Sequence, residues 1–273
     1  MRSEITGPPP SMRLGYDRYD AELQAETARF AAAVRNADPA HPVPTCPAWT
    51  LAQLTEHVGF GHRWAAVIVE RRATRPVPHD QADDLQVPRT ADERSSWLAA
   101  GARRLADAVR QAGPDTHVWT WADDQTAGFW LRRITHDTLV HRLDAELAVG
   151  RPITLAPDMA ADSISDLLEM FSILPRIDDF PALSQLRGHG QTLHFHATDP
   201  GLATAGEWLA HRSPSGVEWE HRHATADATL RGPAPDLLLV LSRRAPLDTS
   251  GLEASGDPEL LAHWLEHSRL EPA

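Results

Sequence analysis

Lysine is missing from the sequence altogether, so all 26 basic side chains are arginine. They are outnumbered by 38 acidic residues, and the formal net charge is -12. Contacts with phosphates dominate nucleic-acid binding and require a basic stripe or patch, which neither the charge balance nor any local run supplies here. The composition therefore argues against a nucleic-acid partner.

Cysteine and long apolar runs are also scarce. Cys46 is the single cysteine, so an internal disulfide and a metal site built from several cysteines are both excluded, and any metal must rest on histidine and carboxylate. No stretch approaches the roughly 20 apolar residues that span a bilayer. The N-terminus lacks a basic segment followed by an apolar core, as a secretory signal would have. We expect a cytoplasmic protein with no membrane association.

The apolar residues that are present, 42% of the 273-residue chain, are enough for a sizeable core. Helical spacing, with Thr50 as an N-cap and Thr90 opening a capping box, predicts four helices in the first half. They cover residues 16–35, 51–72, 90–111 and 126–149, and the aromatic segment 118–121 is either a strand or an extended loop. These elements indicate a helical domain over 16–152, preceded by a flexible leader over 1–15.

The second half has a different pattern, with short strand-like segments between helices. Helices are predicted over 157–174, 236–243 and 257–268, and strands over 191–197, 217–220, 226–230 and 252–254. The segment 206–211 fits neither pattern clearly. We predict an α+β domain over 153–273.

Asp137 and His141 have the spacing of metal ligands. They are four residues apart, so on a helix their side chains lie on one face. His57 lies on the face of the second helix that we expect to be buried, and it supplies a third ligand if the two helices pack together. Three ligands of mixed type leave one coordination position open, which is typical of catalytic zinc. The alternative is an ordinary hydrogen bond between two helices in a protein with 15 histidines.

Other polar residues near these positions are assigned by their angle around the helix. Asp144 lies three residues beyond His141, where it either accepts a hydrogen bond that orients an imidazole or contacts a bound ligand. His62 and His136 point away from the proposed ligands, and we expect packing or solvent positions for both. Cys46 precedes a helix, where a thiol can be activated, but a small buried residue is the favoured interpretation.

Two further groups have alternative interpretations. Arg243 and Arg244 follow a leucine-rich helix and either bind an anionic substrate or end the helix in solvent. His194 and His196 share one face of a predicted strand. With three other histidines they suggest a second metal site, but polar positions on an exposed sheet face are favoured; the three are His211, His221 and His223.

Several motifs, in order along nearly the whole chain, resemble the mycothiol-dependent maleylpyruvate isomerase family. In the first half they are VPTCPAWT at 43–50, LTEH at 54–57, GHRW at 61–64 and HDTLVHRLDAE at 136–146. In the second half they are APDLLLVLSRRAPLD at 234–248 and GDPELL at 256–261. The resemblance implies a DinB-like metal-binding four-helix bundle followed by a smaller α+β domain.

The resemblance also implies a set of site residues. A divalent metal, usually zinc, would be held by His57, Asp137 and His141, although the family usually has glutamate where this chain has Asp137. An arginine of the C-terminal domain helps the family to bind thiol cofactor or substrate. Arg243 is the best match and Arg244 the next, and we count Arg243 and Asp144 as candidate catalytic residues.

The function implied is activation of a low-molecular-weight thiol, mycothiol, for attack on an electrophilic small molecule. The outcome is either a cis–trans isomerisation of the maleylpyruvate type or a thiol S-transfer. Two alternatives remain: a non-catalytic small-ligand-binding protein of the same fold, in which Asp137 reflects a lost metal, and a metal-dependent hydrolase. The chain is expected to be a monomer or a small homo-oligomer.

Overall fold

The computed structural model describes residues 13–174, 181–268 and 270, so most of the expected leader lies outside the described residues. The chain divides into two compact units, Leu14–Ile153 and a second unit that begins at Thr154. The first unit contains four α-helices, α1 (Tyr16–Val34), α2 (Leu51–Glu70), α3 (Ala91–Ala112) and α4 (Ala127–Ala148).

These four helices form a bundle in which α1 and α2 each contact both α3 and α4. α4 is the most enclosed of them, because residues on nearly all its sides are buried. At one end of the bundle the indole rings of Trp64, Trp121 and Trp130 pack together, with the Trp121 and Trp130 centroids 4.6 Å apart. The segment 118–121 that supplies Trp121 is an extended loop and not a strand.

The helix starts follow the capping signals in the sequence. The Thr50 side chain accepts a hydrogen bond from the Gln53 backbone, and the Gln53 side chain bonds back to the Thr50 backbone. Thr90 and Glu93 form the same reciprocal capping box at α3. Each box satisfies two backbone N–H groups that the first turn would otherwise leave unpaired. The Thr50 cap therefore fixes where α2 begins and which face carries His57.

The second unit is an α+β module built on one mixed sheet. Within its described residues the helices are α5 (Pro157–Ile173), α6 (Pro181–Ser184), α7 (Ala234–Leu241) and α8 (Pro258–His267), and the strands are β1 (Thr192–Ala197), β2 (Glu207–Ser213), β3 (Gly216–Glu220), β4 (Ala228–Gly232) and β5 (Glu253–Gly256). The strand order is β3-β2-β1-β4-β5, with β1 and β4 parallel and the other pairs antiparallel. The ambiguous segment 206–211 is thus mostly strand β2.

One face of the sheet packs against helices. Phe195 of β1 contacts Trp264 of α8, with ring centroids 5.7 Å apart, and the Trp208 indole of β2 donates a hydrogen bond to Ser165 of α5 at 2.9 Å. Side chains alternate along a strand, so His194 and His196 lie on the opposite face. The predicted order, a four-helix bundle followed by an α+β module, is confirmed. No helix in the described ranges is both long and apolar enough to cross a membrane.

Two glycines of α2 provide a test of how closely the helices pack. A Cβ at Gly59 would overlap the buried ring of Trp97 on α3, whereas a Cβ at Gly61 would lie 3.6 Å from Ile134, an ordinary contact. We expect Gly59→Ala to lower the free energy of unfolding by about 1–3 kcal/mol through overpacking. Gly61→Ala should raise it by about 0.5–1 kcal/mol, since alanine is the better helix former. Urea denaturation of both variants measures the difference, and equal effects would contradict close packing at Gly59.

Candidate metal centre in the helical bundle

Three potential metal ligands converge between α2 and α4. The Asp137 carboxylate lies between two imidazoles, with its Oδ2 3.6 Å from His57 Nε2 and 3.9 Å from His141 Nε2. The two imidazole rings are perpendicular, with centroids 4.8 Å apart. The three ligand atoms all lie within 4.8 Å of one another. The helical spacing and the packing of α2 on α4 therefore bring together the three residues that were selected from the sequence.

The centre is open to solvent on one side. The side chain of His57 is 37% exposed, that of Asp137 25% and that of His141 12%. The expectation that His57 belongs to a buried face is therefore wrong in detail, because His57 lies at the edge of the helix interface. This partial exposure would allow a small molecule to reach the three ligand atoms.

A buried carboxylate holds His141 in one orientation. The Nδ1 atom of His141 is 2.9 Å from Asp144 Oδ2, and the Asp144 side chain is fully buried. A carboxylate accepts, so we assign the proton to Nδ1, which leaves the lone pair of Nε2 directed towards Asp137. Thr45 Oγ1 also donates a hydrogen bond to Asp144, at its Oδ1. Metal-binding histidines are commonly oriented by such a carboxylate.

The Asp137 carboxylate is held in its charged form. Burial opposes ionisation, but the nearby His141, the hydrogen bond and charge of His57, and the charge of Arg133 together lower the pKa of Asp137 far below its usual range. Arg133 Nη2 donates to Asp137 Oδ1 at 3.2 Å, on the other oxygen from the one that faces the imidazoles. Asp137 Oδ2 thus remains a charged ligand atom, as metal binding requires.

Comparison with known proteins follows the same division of the chain. The family profile of the mycothiol maleylpyruvate isomerase N-terminal domain matches residues 21–146, and the profile of the C-terminal domain of the same family matches residues 158–263. The two matches together cover most of the chain. The chain belongs to the mycothiol maleylpyruvate isomerase family.

One solved structure of the same family supports the fold. A crystal structure of a histidine-to-alanine mutant of mycothiol-dependent maleylpyruvate isomerase is 14% identical in sequence, covers 89% of this chain and 93% of its own, and gives a TM-score of 0.53. A UbiJ-SCP2 ubiquinone synthesis protein is 22% identical over 41% of this chain and 94% of its own, with a TM-score of only 0.30, too low to support an argument. No curated protein sequence shows significant similarity to the chain.

Within the region that matches the family's N-terminal profile, sequence reasoning missed the part played by the proline-rich loop before α2. Cys46 Sγ lies 3.5 Å from Asp144 Oδ2, and Cys46, His141 and Asp144 form a second group of closely spaced potential ligands. The Trp49 ring packs against His57 and His141, with centroids 4.7 and 5.8 Å away. Cys46 therefore contacts the carboxylate that orients His141.

His62 and His136, the histidines near the candidate ligands in the sequence, both have packing roles. Packing was one of the two positions expected for them, the other being solvent. His62 is completely buried, and its Nε2 lies 2.9 Å from Thr138 Oγ1, which itself donates to the Ile134 carbonyl. Burial and the charge of Arg63 lower the pKa of His62 to about 4, so it is neutral at pH 7. His136 is buried edge-to-face against Tyr19. Neither belongs to the groups of potential ligands found among the described residues.

Arg243 and Arg244 lie just beyond α7, in the unit that matches the family's C-terminal profile. Both line a cleft of about 390 Å³, together with residues of the following loop and Leu265 of α8. Arg243 has a positive φ of 67° and its guanidinium donates to the Leu265 carbonyl, while Arg244 Nη1 donates to the Ser242 carbonyl at 2.6 Å. Their role in binding thiol or substrate remains a prediction.

Proposed function

We propose that the chain is a metal-dependent enzyme that uses mycothiol for an isomerase-type reaction on an electrophilic small molecule. The observation that carries the proposal is the convergence of His57, Asp137 and His141 on one solvent-accessible point in a member of this family. Asp144 adds support, because a buried carboxylate behind a ligand histidine is a feature of metal sites.

The donor set fits a divalent metal. Two imidazole nitrogens and one carboxylate oxygen match the ligands that zinc accepts, and a fourth position would remain for an exogenous ligand. A zinc ion held there would lower the pKa of a bound thiol and so supply a thiolate at neutral pH. His57, Asp137 and His141 would hold the ion through Nε2, Oδ2 and Nε2.

The surrounding residues of the chain prepare this site. Asp144 keeps the His141 proton on Nδ1, and Arg133 occupies the second oxygen of Asp137, so that both ligands present one defined atom. Trp49 packs against the His57 ring, with centroids 4.7 Å apart. Such preorganisation lowers the cost of assembling a reactive geometry.

The reaction expected of this arrangement begins with attack by a thiolate sulfur on a conjugated double bond. In the isomerase outcome, rotation about the new single bond and elimination of the same thiolate return the thiol unchanged. In the S-transferase outcome the carbon–sulfur bond remains and a proton is added to the neighbouring carbon. We favour the isomerase outcome, because the family profiles bear that name, and we assign Arg243 and Arg244 to binding of the anionic groups.

The first test is metal content. The purified chain should bind zinc, and His57→Ala should lose the zinc of this site, because two ligands do not hold the ion against a chelator. His117→Ala is the matched control, since His117 is an exposed histidine of the same unit outside the ligand groups. Elemental analysis after dialysis measures the stoichiometry. Equal zinc contents in His57→Ala and His117→Ala would overturn the assignment.

The second test separates the chemical outcomes. The zinc-loaded chain is incubated with mycothiol and a cis-configured unsaturated dicarboxylate, and the products are analysed by chromatography and mass spectrometry. Release of the trans isomer without consumption of thiol supports the proposal, whereas a stable thiol adduct identifies an S-transferase. Isomer formed equally well without thiol would refute the proposed thiol chemistry, and the absence of any product would favour a binding protein.

A further inference from the structure

We propose that His194, His196, Glu207 and His223 form a second divalent-metal site, in the α+β unit, with the ligand chemistry of structural zinc. Three imidazoles converge there on one carboxylate. His194 Nε2 lies 2.7 Å from Glu207 Oε2, and His196 Nδ1 and His223 Nδ1 lie 2.8 and 3.1 Å from Glu207 Oε1. All four ligand atoms are within 4.8 Å of one another.

The strand register explains how this cluster is assembled. His196 of β1 pairs directly with Glu207 of β2, and His194 lies two residues away on the same face. This is the face of the sheet that does not carry Phe195 and Trp208. His194 is only 3% exposed, so the surface position expected for it from the sequence is wrong.

His223 comes from the segment between β3 and β4. That segment is attached next to Glu207, because the His221 ring nitrogen Nδ1 lies 2.9 Å from the Glu207 carbonyl oxygen and donates to it. His221 Nε2 lies 3.3 Å from Ser165 Oγ of α5. The His221 ring thus holds the segment while His223 reaches over the edge of the cluster. Two elements of regular structure and one loop therefore contribute ligands.

The ligand set suits a metal better than it suits an ion pair. One carboxylate needs a single cationic partner, but here three imidazoles surround it, and in their neutral forms each has a nitrogen lone pair to offer. Tetrahedral zinc with bonds of about 2.0–2.1 Å places neighbouring ligand atoms about 3.3 Å apart. The observed nitrogen–oxygen separations of 2.7 Å to Oε2 and of 2.8 and 3.1 Å to Oε1 of Glu207 need to open by about 0.2–0.6 Å to match that spacing.

Four protein ligands would complete a tetrahedral shell. A closed shell is typical of structural zinc, whereas the three-ligand centre of the helical bundle keeps a position open. The role we infer for the second site is therefore to fasten the segment that carries His223 onto strands β1 and β2. The binding energy of such an ion is available to stabilise the fold.

Variants of the full chain separate the two sites. We start from His57→Ala, in which the bundle site has lost a ligand, and add either His223→Ala or His211→Ala. His223 is 73% exposed, so its truncation should leave the fold intact. His211 lies on the same sheet face as Glu207 but makes its contact with Glu220 instead, at 3.7 Å, and is the matched control. Circular dichroism and thermal unfolding in a chelator confirm that all the variants are folded.

Equilibrium dialysis of the metal-free proteins against zinc, followed by elemental analysis, measures the stoichiometry. We expect one zinc per chain in His57→Ala and in His57→Ala/His211→Ala. In His57→Ala/His223→Ala the affinity should fall by more than about 100-fold, beyond the roughly 10–100-fold that loss of an outer hydrogen-bonding partner usually causes. Zinc should also raise the melting temperature of His57→Ala but not that of His57→Ala/His223→Ala.

Two results would overturn the second site. One is a folded His57→Ala chain that binds no zinc, and the other is equal zinc affinity in the His211→Ala and His223→Ala double variants. In either case the cluster is a hydrogen-bonded network only. A bundle site that does not bind zinc gives a different pattern. His57→Ala would then contain as much zinc as the parent, whereas His223→Ala would lose the zinc of the second site.

Discussion

Replacing Arg142 with methionine is expected to lower the free energy of unfolding by about 3–5 kcal/mol, because it removes one partner of a buried ion-pair network. Arg142 of α4 is completely buried, as is Glu26 of α1, only 1% exposed. Its guanidinium donates to Glu26 Oε2 at 2.6 Å and to Glu146 Oε2 at 2.7 Å. Methionine has a similar length but no charge, so Glu146 would lose this cationic partner and Glu26 would keep only the half-exposed Arg29, whose Nη1 donates to Glu26 Oε1 at 2.6 Å.

The expected loss comes from the stranded carboxylates rather than from the value of the ion pair itself. The double variant Glu26→Leu/Arg142→Met removes the most deeply buried carboxylate and should recover a large part of the stability. Arg35→Met is the matched control, since Arg35 pairs with Asp92 in solvent and exposed pairs contribute about 0–1 kcal/mol. Urea denaturation compares the three. Equal losses in Arg35→Met and Arg142→Met would show that the network does not support the contact between α1 and α4.

The same network shows why the bundle was predictable from the sequence while its internal contacts were not. Thr50 and Thr90 are capping signals that act within a few residues, and both define helix starts in the structure. Arg142 and Glu26 are separated by 116 residues, and no periodic pattern pairs them. Local signals specify where a helix starts and which way a residue points, but they do not specify its partner on another helix.

The metal centre follows the same rule. The spacing of Asp137 and His141 is a property of one helix, and it identified them directly. The contact of Cys46 with Asp144 was not predicted, because it depends on how the loop between Val43 and Trp49 folds back: the Val43 amide donates to the Trp49 carbonyl at 3.0 Å, and the Cys46 amide to the Val43 carbonyl at 3.0 Å. The sequence feature that indicated a folded loop at this place was the run of prolines immediately before the helix that carries His57.

Strand β2 was the least predictable element, for a physical reason. A half-buried strand should alternate polar and apolar residues, but Leu209 is an apolar residue on the face of Glu207 and His211, and it is buried there. Buried residues therefore lie on both faces of the strand around Leu209. The alternation of polar and apolar residues is lost, and the segment 206–211 becomes ambiguous. Glu207 was therefore not recognised as the partner of His194 and His196, although both histidines had been placed on one strand face.

Asp137→Asn is expected to reduce zinc affinity at least about 100-fold and to abolish the proposed thiol chemistry, because it replaces a charged ligand with a neutral amide of the same size. The amide oxygen is a weak ligand for zinc. Arg133, which donates to Asp137 Oδ1 at 3.2 Å, would also lose its charged acceptor. Competition with a chromophoric chelator measures the zinc affinity. His223→Ala serves as the parent, so that zinc bound in the α+β unit does not enter the comparison. Unchanged affinity would exclude Asp137 as a ligand.

Asp137→Glu tests whether the shorter side chain limits this member of the family, in which glutamate is the residue implied by the resemblance. The distances argue that it does not. Asp137 Oδ2 already lies 3.6 and 3.9 Å from the two imidazole nitrogens, and ligands around tetrahedral zinc are about 3.3 Å apart. The aspartate therefore reaches a common centre after small adjustments.

An added methylene would push the carboxylate towards the imidazoles or away from Arg133. We expect affinity within about tenfold of the parent, a difference of about 1.4 kcal/mol or less. A gain of more than a hundredfold would instead mean that aspartate holds the metal too loosely for catalysis, and would support the interpretation of this chain as a ligand-binding protein.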